Sequence, residues 1–286
     1  ATGLDQGDSL MRVLLIGANS QLGRCILDRV PAEWSVISTM STELDITDSG
    51  QVISAIERHH PDVIINTAAY TAVDNAEGDE DQAFLVNALG VKNIALACEA
   101  ANIRLVHIST DYVFDGSADQ PYQTTDMPNP LSVYGRSKLA GELLALAHCT
   151  QSQIIRTSWL YSEYGHNFVK TMLRLADEGR EALNVVNDQI GCPTYAGNLA
   201  KAIIELLHQP ISARLLHYSD SDVMSWYEFA QDIFAYREHQ GLSYCQVNPV
   251  ASIEYPTPVK RPAYSVLRSS LDFDQPAGLK YVIDKL

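Results

Sequence analysis

The run Arg12-Val13-Leu14-Leu15-Ile16, followed at once by Gly17-Ala18-Asn19-Ser20-Gln21-Leu22-Gly23 and an amphipathic stretch ending near Arg29, constrains this chain more than any other feature. A short continuous apolar run suits a strand buried on both faces of a parallel sheet, and parallel neighbours require a crossover that a helix supplies. Gly17 permits a tight turn and Gly23 lets the helix pack close to the sheet, while the helix N-terminus points free N–H groups at a phosphate. Strand, glycine turn and helix in that order point to a dinucleotide site, with Gly17, Asn19, Ser20, Gln21, Leu22 and Gly23 as its candidate residues. The middle position of the glycine pattern is Ser20, still small enough for a phosphate to approach. Taken alone, the same residues suit an ordinary βα turn equally well.

The alternation continues downstream. Strands are predicted at Val36–Thr39, Asp62–Asn66, Arg104–Ile108 and Ile154–Ser158, and helices over about Ser49–His60, Asp81–Ala101 and from Tyr134 through Leu146. Asp48 reads as an N-cap. Thr39 stands at the end of the second strand, where a carboxylate would select NAD by holding the ribose 2′-hydroxyl. With neither an acid nor an adjacent arginine there, the cofactor is left as NADPH or NADH. Asp45 and Ile46 are placed to face an adenine, and Ala68 and Ala69 are small enough for a flat ring to pass close to the backbone. Beyond residue 158 the alternation weakens. Helices are predicted over Asn167–Glu178 and Tyr195–His208, a polar loop over Asn187–Thr194, a short strand over Leu215–Tyr218, and an aromatic helix capped by Ser225 whose rings read as core. The fold class is therefore α/β: a Rossmann-like doubly wound parallel sheet over 11–158, returning around 185–210. A smaller, interleaved α/β substrate-binding domain occupies mainly 159–286, and residues 1–10 read as a leader outside the fold.

Twenty Lys and Arg against 35 Asp and Glu give 286 residues a formal net charge of −15, which repels nucleic acid and anionic membrane alike. An anionic ligand then needs locally placed donors, and Lys260-Arg261 in the proline-rich loop Tyr255–Pro262 offer a diphosphate contact, Arg261 through its planar fork. The five cysteines are odd in number and widely spaced, with no C-x-x-C, so they support neither a disulfide framework nor a zinc site and fit a reducing cytoplasm. No metal site is expected. No apolar run approaches the ~20 residues that span a bilayer.

Two stretches carry chemistry: Ser109-Thr110-Asp111-Tyr112-Val113-Phe114, and Tyr134-Gly135-Arg136-Ser137-Lys138. Tyr134 and Lys138 lie four apart on a predicted helix and share a face. The lysine is expected to favour the phenolate and draw the tyrosine's pKa down toward working pH. On its own, Y-x-x-x-K is more often an exposed helix pair. Its company here is a hydroxyl, Thr110, delivered by a strand end to the same rim. His107, inside that strand, reads as a core histidine.

With those stretches, Asn66-Thr67-Ala68-Ala69-Tyr70-Thr71-Ala72-Val73-Asp74, Arg156-Thr157-Ser158-Trp159 and Asn187-Asp188-Gln189-x-Gly191-x-Pro193-Thr194 complete a set that resembles the dTDP-4-dehydrorhamnose reductases, extended short-chain dehydrogenase/reductases. The resemblance runs from Met11 to about Ser265. It implies reduction of the C4 keto group of dTDP-4-dehydro-β-L-rhamnose by NADPH or NADH, the last step in making dTDP-rhamnose for surface polysaccharide. By that resemblance Tyr134 gives the proton, Thr110 bonds the same oxygen and Lys138 holds the nicotinamide ribose. It likewise puts Asp111, Trp159, Asn187 and Gln189 at the sugar, Ala69, Tyr70 and Thr71 at the nicotinamide half, and Asp45 and Ile46 at the adenine. Cys25 replaces a glutamate found in a member that dimerises through Mg²⁺, which speaks against a metal-bridged dimer while leaving a homodimer open. Two rivals share the pattern: a nucleotide-sugar epimerase or dehydratase that regenerates its NAD, and a non-catalytic subunit similar to the regulatory β subunit of methionine adenosyltransferase.

Overall fold

A computed structural model describes residues 10–272 and 278–286 of the chain, so all of the predicted leader except Leu10 lies outside the described residues. β1 (Arg12–Ile16) is buried at four of its five positions. Its side chains alternate: Val13 and Leu15 enter one core layer, Leu14 and Ile16 the other. α1 (Gln21–Leu27) follows, then β2 (Ser35–Thr39), α2 (Ser49–His59) and β3 (Val63–Asn66). Asp48 caps α2 by accepting from the N–H groups of Gly50 and Gln51.

The single helix predicted over 81–101 is more elaborate. After a short α3 (Val73–Ala76), α4 (Glu80–Phe84) runs through a π-helical segment, Leu85–Gly90, into α5 (Val91–Ala101). By length and composition alone the stretch Glu80–Ala101 is apolar enough to cross a membrane, at a mean hydropathy of 1.3, although Asn87, Lys92, Asn93 and Glu99 break it into short apolar runs. Half of it is buried, against the sheet and the helices flanking it. β4 (Arg104–Thr110), α6 (Val133–His148) and β5 (Ser152–Thr157) complete the first half.

The second half weaves between two units. β6 (Leu160–Tyr161), α7 (Phe168–Asp177), β7 (Ala182–Val186), β8 (Ile190–Gly191) and β9 (Thr194–Tyr195) lead away, α8 (Ala196–Leu207) and β10 (Leu215–His217) return, and β11 (Met224–Ser225), α9 (Trp226–His239), β12 (Gln246–Val250) and α10 (Gly278–Lys285) leave again. β10 pairs with β5, so the main sheet has six parallel strands in the order β10-β5-β4-β3-β1-β2. α1 and α8 cover one face, and α2, α5 and α6 the other. The smaller unit packs α7, α9 and α10 around the parallel β7–β12 pair, with Phe229, Ile233, Phe234, Met172 and Val282 at its centre. Strand order reverses between β1 and β3, and in an open α/β sheet the crevice at that reversal, outside the carboxyl ends of the strands, is where ligands lie.

Candidate active site

Gly17 ends β1 at φ 79°, and a Cβ there would lie 2.6 Å from the Ala68 nitrogen, so glycine is required by conformation and by space. Gly17 and Ala18 both donate to the Thr39 carbonyl at 3.0 Å. Ser20, the departure from the glycine pattern, is the N-cap of α1: its Oγ accepts from Gly23 N at 3.0 Å and lies 3.0 Å from Thr67 Oγ1. A hydroxyl there ties the phosphate turn to the loop after β3. Asn19 is exposed, whereas Leu22 and Gly23 are buried. The Gln21 amide reaches across to the smaller unit, donating to the His166 carbonyl at 3.1 Å and accepting from Ser162 Oγ at 2.9 Å. The turn fits a dinucleotide: a cradle that a Cβ would fill lies beside a helix N-terminus.

At the adenosine end, Thr39 is buried with its hydroxyl 3.4 Å from the Leu15 carbonyl. Glu43, in the turn after β2, folds back to accept from Met40 N at 2.8 Å. A cavity of about 600 Å³ runs from Ser38, Thr39 and Glu43 along α2 to Arg58. It lies along the sheet edge, away from Tyr134. Asp45 is exposed and bonds Thr47 Oγ1 at 2.7 Å, while Ile46 is buried against Gly90. Ala68, Ala69 and Tyr70 are half-buried and Thr71 is exposed.

Asn87, in the π-helical segment, holds this loop. Its Oδ1 accepts from Tyr70 N at 2.8 Å and its Nδ2 donates to Tyr70 O and Ser137 Oγ, both at 3.0 Å. The π-helical widening brings its backbone so close to α6 that a Cβ on Gly141 would lie 2.0 Å from Asn87 O. Single-chain periodicity carries no signal for such a bulge.

The chemistry-bearing residues converge on the carboxyl end of β4. Ser132 caps α6 by accepting from Gly135 N at 3.0 Å, which points Tyr134 and Lys138 back toward that strand. The Tyr134 phenol is pushed up to about 12, by burial first and by Asp111 as well, while the Thr110 hydroxyl pulls the other way. Lys138, 3% exposed, donates to the Ile108 carbonyl at 2.7 Å, and burial brings it down to about 8 against the opposing pull of Glu142. This corrects the expectation that Lys138 draws the phenol down: the ammonium is directed at a backbone carbonyl, and burial is the first cause acting on the phenol. Asp111 is 2% exposed and burial raises it to about 6, opposed by Ser265 and Thr110. Its Oδ1 accepts from Thr110 Oγ1 at 3.1 Å and its Oδ2 has no hydrogen-bond partner. A buried carboxylate oxygen without a hydrogen-bond partner is uncommon in a folded protein.

The remaining residues form the cover. Trp159 sits at φ 48° and stacks face to face on Trp226, centroids 3.5 Å apart at 7°, with its ring edge against Gly191. Trp226 thereby backs Trp159 while packing against the core of the smaller unit beside Phe168 and Phe229, as expected of the rings on that helix. Asn187 Oδ1 accepts from Ser225 Oγ at 2.7 Å and Gln189 Nε2 donates to Ser252 Oγ at 3.0 Å. Arg261 makes a bidentate pair with Asp74 on α3, both bonds 2.9 Å, so its fork is engaged across the cleft. All five cysteines are free and buried, Cys25 included. Among the described residues no three His, Cys, Asp or Glu side chains gather as a metal-holding group.

The family model for the RmlD substrate binding domain matches residues 11–274. A dTDP-4-dehydrorhamnose reductase of Aggregatibacter actinomycetemcomitans is 43% identical over 267 residues, 90% of each chain. The chain belongs to the dTDP-4-dehydrorhamnose reductase family. The solved dTDP-4-dehydrorhamnose reductase of Bacillus anthracis in complex with NADP has a TM-score of 0.91 at 38% identity, covering 97% of this chain and 100% of that one. The Clostridium acetobutylicum structure gives 0.90 at 40%, covering 96% and 99%. UDP-glucose 4-epimerase of Thermus thermophilus, at 21% identity and a TM-score of 0.76, shares the fold. The family match extends past Ser265, where the resemblance read from the sequence stops.

Proposed function

We propose that this chain reduces the C4 keto group of dTDP-4-dehydro-β-L-rhamnose to the alcohol, giving dTDP-β-L-rhamnose. The observation that carries the reading is the gathering of Thr110, Tyr134 and Lys138 at the end of β4, beside a phosphate turn shaped for a dinucleotide, in a chain of this family. NADPH or NADH, when bound, supplies the hydride. Gly17, Ser20 and Gly23 shape the turn, and the N–H groups at the start of α1 receive the diphosphate. Ala68, Ala69, Tyr70 and Thr71 line the nicotinamide half; Asp45 and Ile46 line the adenine. Lys138 holds the nicotinamide ribose.

Tyr134 gives its phenolic proton to the oxygen that becomes the hydroxyl, and solvent restores it. A phenol raised to about 12 is fully protonated at neutral pH, the state a reduction requires of its acid. Thr110 turns its hydroxyl proton from Asp111 to the same oxygen as charge builds there. Asp111 accepts from a sugar hydroxyl through its unpaired Oδ2, while Trp159 packs against the ring. Asn187 and Gln189 border the sugar nucleotide, and Arg261 exchanges the Asp74 carboxylate for its diphosphate. Mixing the protein with dTDP-4-dehydrorhamnose and each reduced cofactor, while following nicotinamide absorbance, tests the reading. Stoichiometric loss of NADPH or NADH with dTDP-rhamnose formed is expected. Product without net cofactor consumption would instead indicate an epimerase, and no product would indicate a binding subunit.

A further inference from the structure

Behind the catalytic residues lies a set of buried charges that the reaction does not use. Glu142, one turn beyond Lys138 on α6, is 1% exposed. Its Oε1 accepts from Ser109 Oγ at 2.5 Å and Arg156 Nε at 2.9 Å, and its Oε2 accepts from Arg156 Nη2 at 2.7 Å. Arg156 is 2% exposed and lies over the Phe114 ring at 5.1 Å. Its Nη1 is 3.4 Å from Nε2 of His217, whose Nδ1 lies 3.1 Å from the Tyr122 carbonyl. The group therefore joins β4, α6, β5 and β10 to the loop before α6.

A buried ion pair is a poor device for stability, because desolvating both charges cancels most of their attraction and apolar replacements of like volume are often neutral or better. Its placement suggests another use. Ser109 immediately precedes Thr110, and strand alternation means that fixing one side chain fixes the face of the next. Ile108, whose carbonyl takes the Lys138 ammonium, precedes Ser109. Brace contacts and catalytic contacts thus alternate along the same two elements.

We propose that Glu142, clamped by Arg156 and bonded to Ser109, is a positioning residue that fixes α6 against the end of β4, and so sets Thr110, Tyr134 and Lys138 relative to one another. The inference rests on the catalytic reading of those three residues. Displacements of about 1 Å cost on the order of 100-fold in rate where reacting groups must be aligned.

Two variants test it. The paired replacement Glu142→Leu with Arg156→Met removes both charges. It is expected to keep a thermal midpoint at or above the parent's, while kcat falls roughly 10- to 100-fold and cofactor Kd and substrate KM stay within about threefold. Ser109→Ala leaves the ion pair intact and unlinks it from the strand, so it remains decisive even if the paired variant fails to fold. Its kcat is expected to fall about tenfold with the same constancy of KM. Parent-like kcat in a folded paired variant or in Ser109→Ala overturns the proposal, as does a loss confined to KM. Tyr134→Phe is run alongside: if that variant also turns over normally, the catalytic reading has failed and not merely the brace.

Discussion

The floor of the cleft and its cover are built differently. On the floor, Thr110, Asp111 and Lys138 are nearly inaccessible, Thr110 bonded to Asp111 at 3.1 Å and Lys138 to the Ile108 carbonyl at 2.7 Å. On the cover, Asn187 and Asp188 are exposed, and the Arg261–Asp74 pair leaves 21% and 38% of its side chains accessible. The floor carries buried polar groups at a cost in desolvation; the cover is made of more accessible contacts. A buried group therefore trades stability against chemistry, whereas an exposed pair affects affinity with little effect on folding.

The sharpest way to break that contrast is Tyr134→Phe. It should lower kcat by about 10³-fold with cofactor Kd nearly unchanged, as measured by steady-state rates and nicotinamide fluorescence. Arg261→Ala comes next: substrate KM should rise roughly tenfold while the thermal midpoint barely moves, and a large loss of stability would show that the pair is structural.

Asp111→Asn should behave oppositely, gaining stability while losing kcat/KM. With its folded pKa at about 6, above the ordinary 3.8, Asp111 binds its proton more tightly when folded. Parent stability should therefore rise as pH falls through 6, and at pH 7 the asparagine variant should be more stable by up to about 3 kcal/mol. Thermal midpoints between pH 5 and 8 would show both. Lys138, brought down to about 8, should make kcat/KM for the cofactor fall as pH rises through that value, whereas Tyr134 contributes no limb below about 12. The smallest expected effect is Glu43→Gln, which removes a negative charge from the cavity beside Thr39 and should improve NADPH over NADH a few-fold in relative kcat/KM.

Much of this was legible in residue order. The apolar run of β1, Gly17 and the buried Gly23 announced a βα turn, and the four-residue spacing of Tyr134 and Lys138 placed them on one helical face. Motifs of that kind are local, because turn conformation and helix period are fixed by neighbouring residues. Ser20 was legible as a departure from the pattern, but its service as N-cap was visible only once Gly23 and Thr67 stood beside it. The Trp159–Trp226 stack and the β7–β12 pair join residues more than 60 positions apart, and no periodicity encodes such partners.

The sequence by itself determined the class of fold, the family and which side chains are candidates for a carbonyl reduction. Tertiary structure alone decided their electrostatic state. Whether Lys138 serves Tyr134 or the Ile108 carbonyl, whether Asp111 is paired, and why Glu142 and Arg156 are buried together depend on dielectric and distance. Those quantities arise only when strands and helices distant in the chain close over the same few atoms.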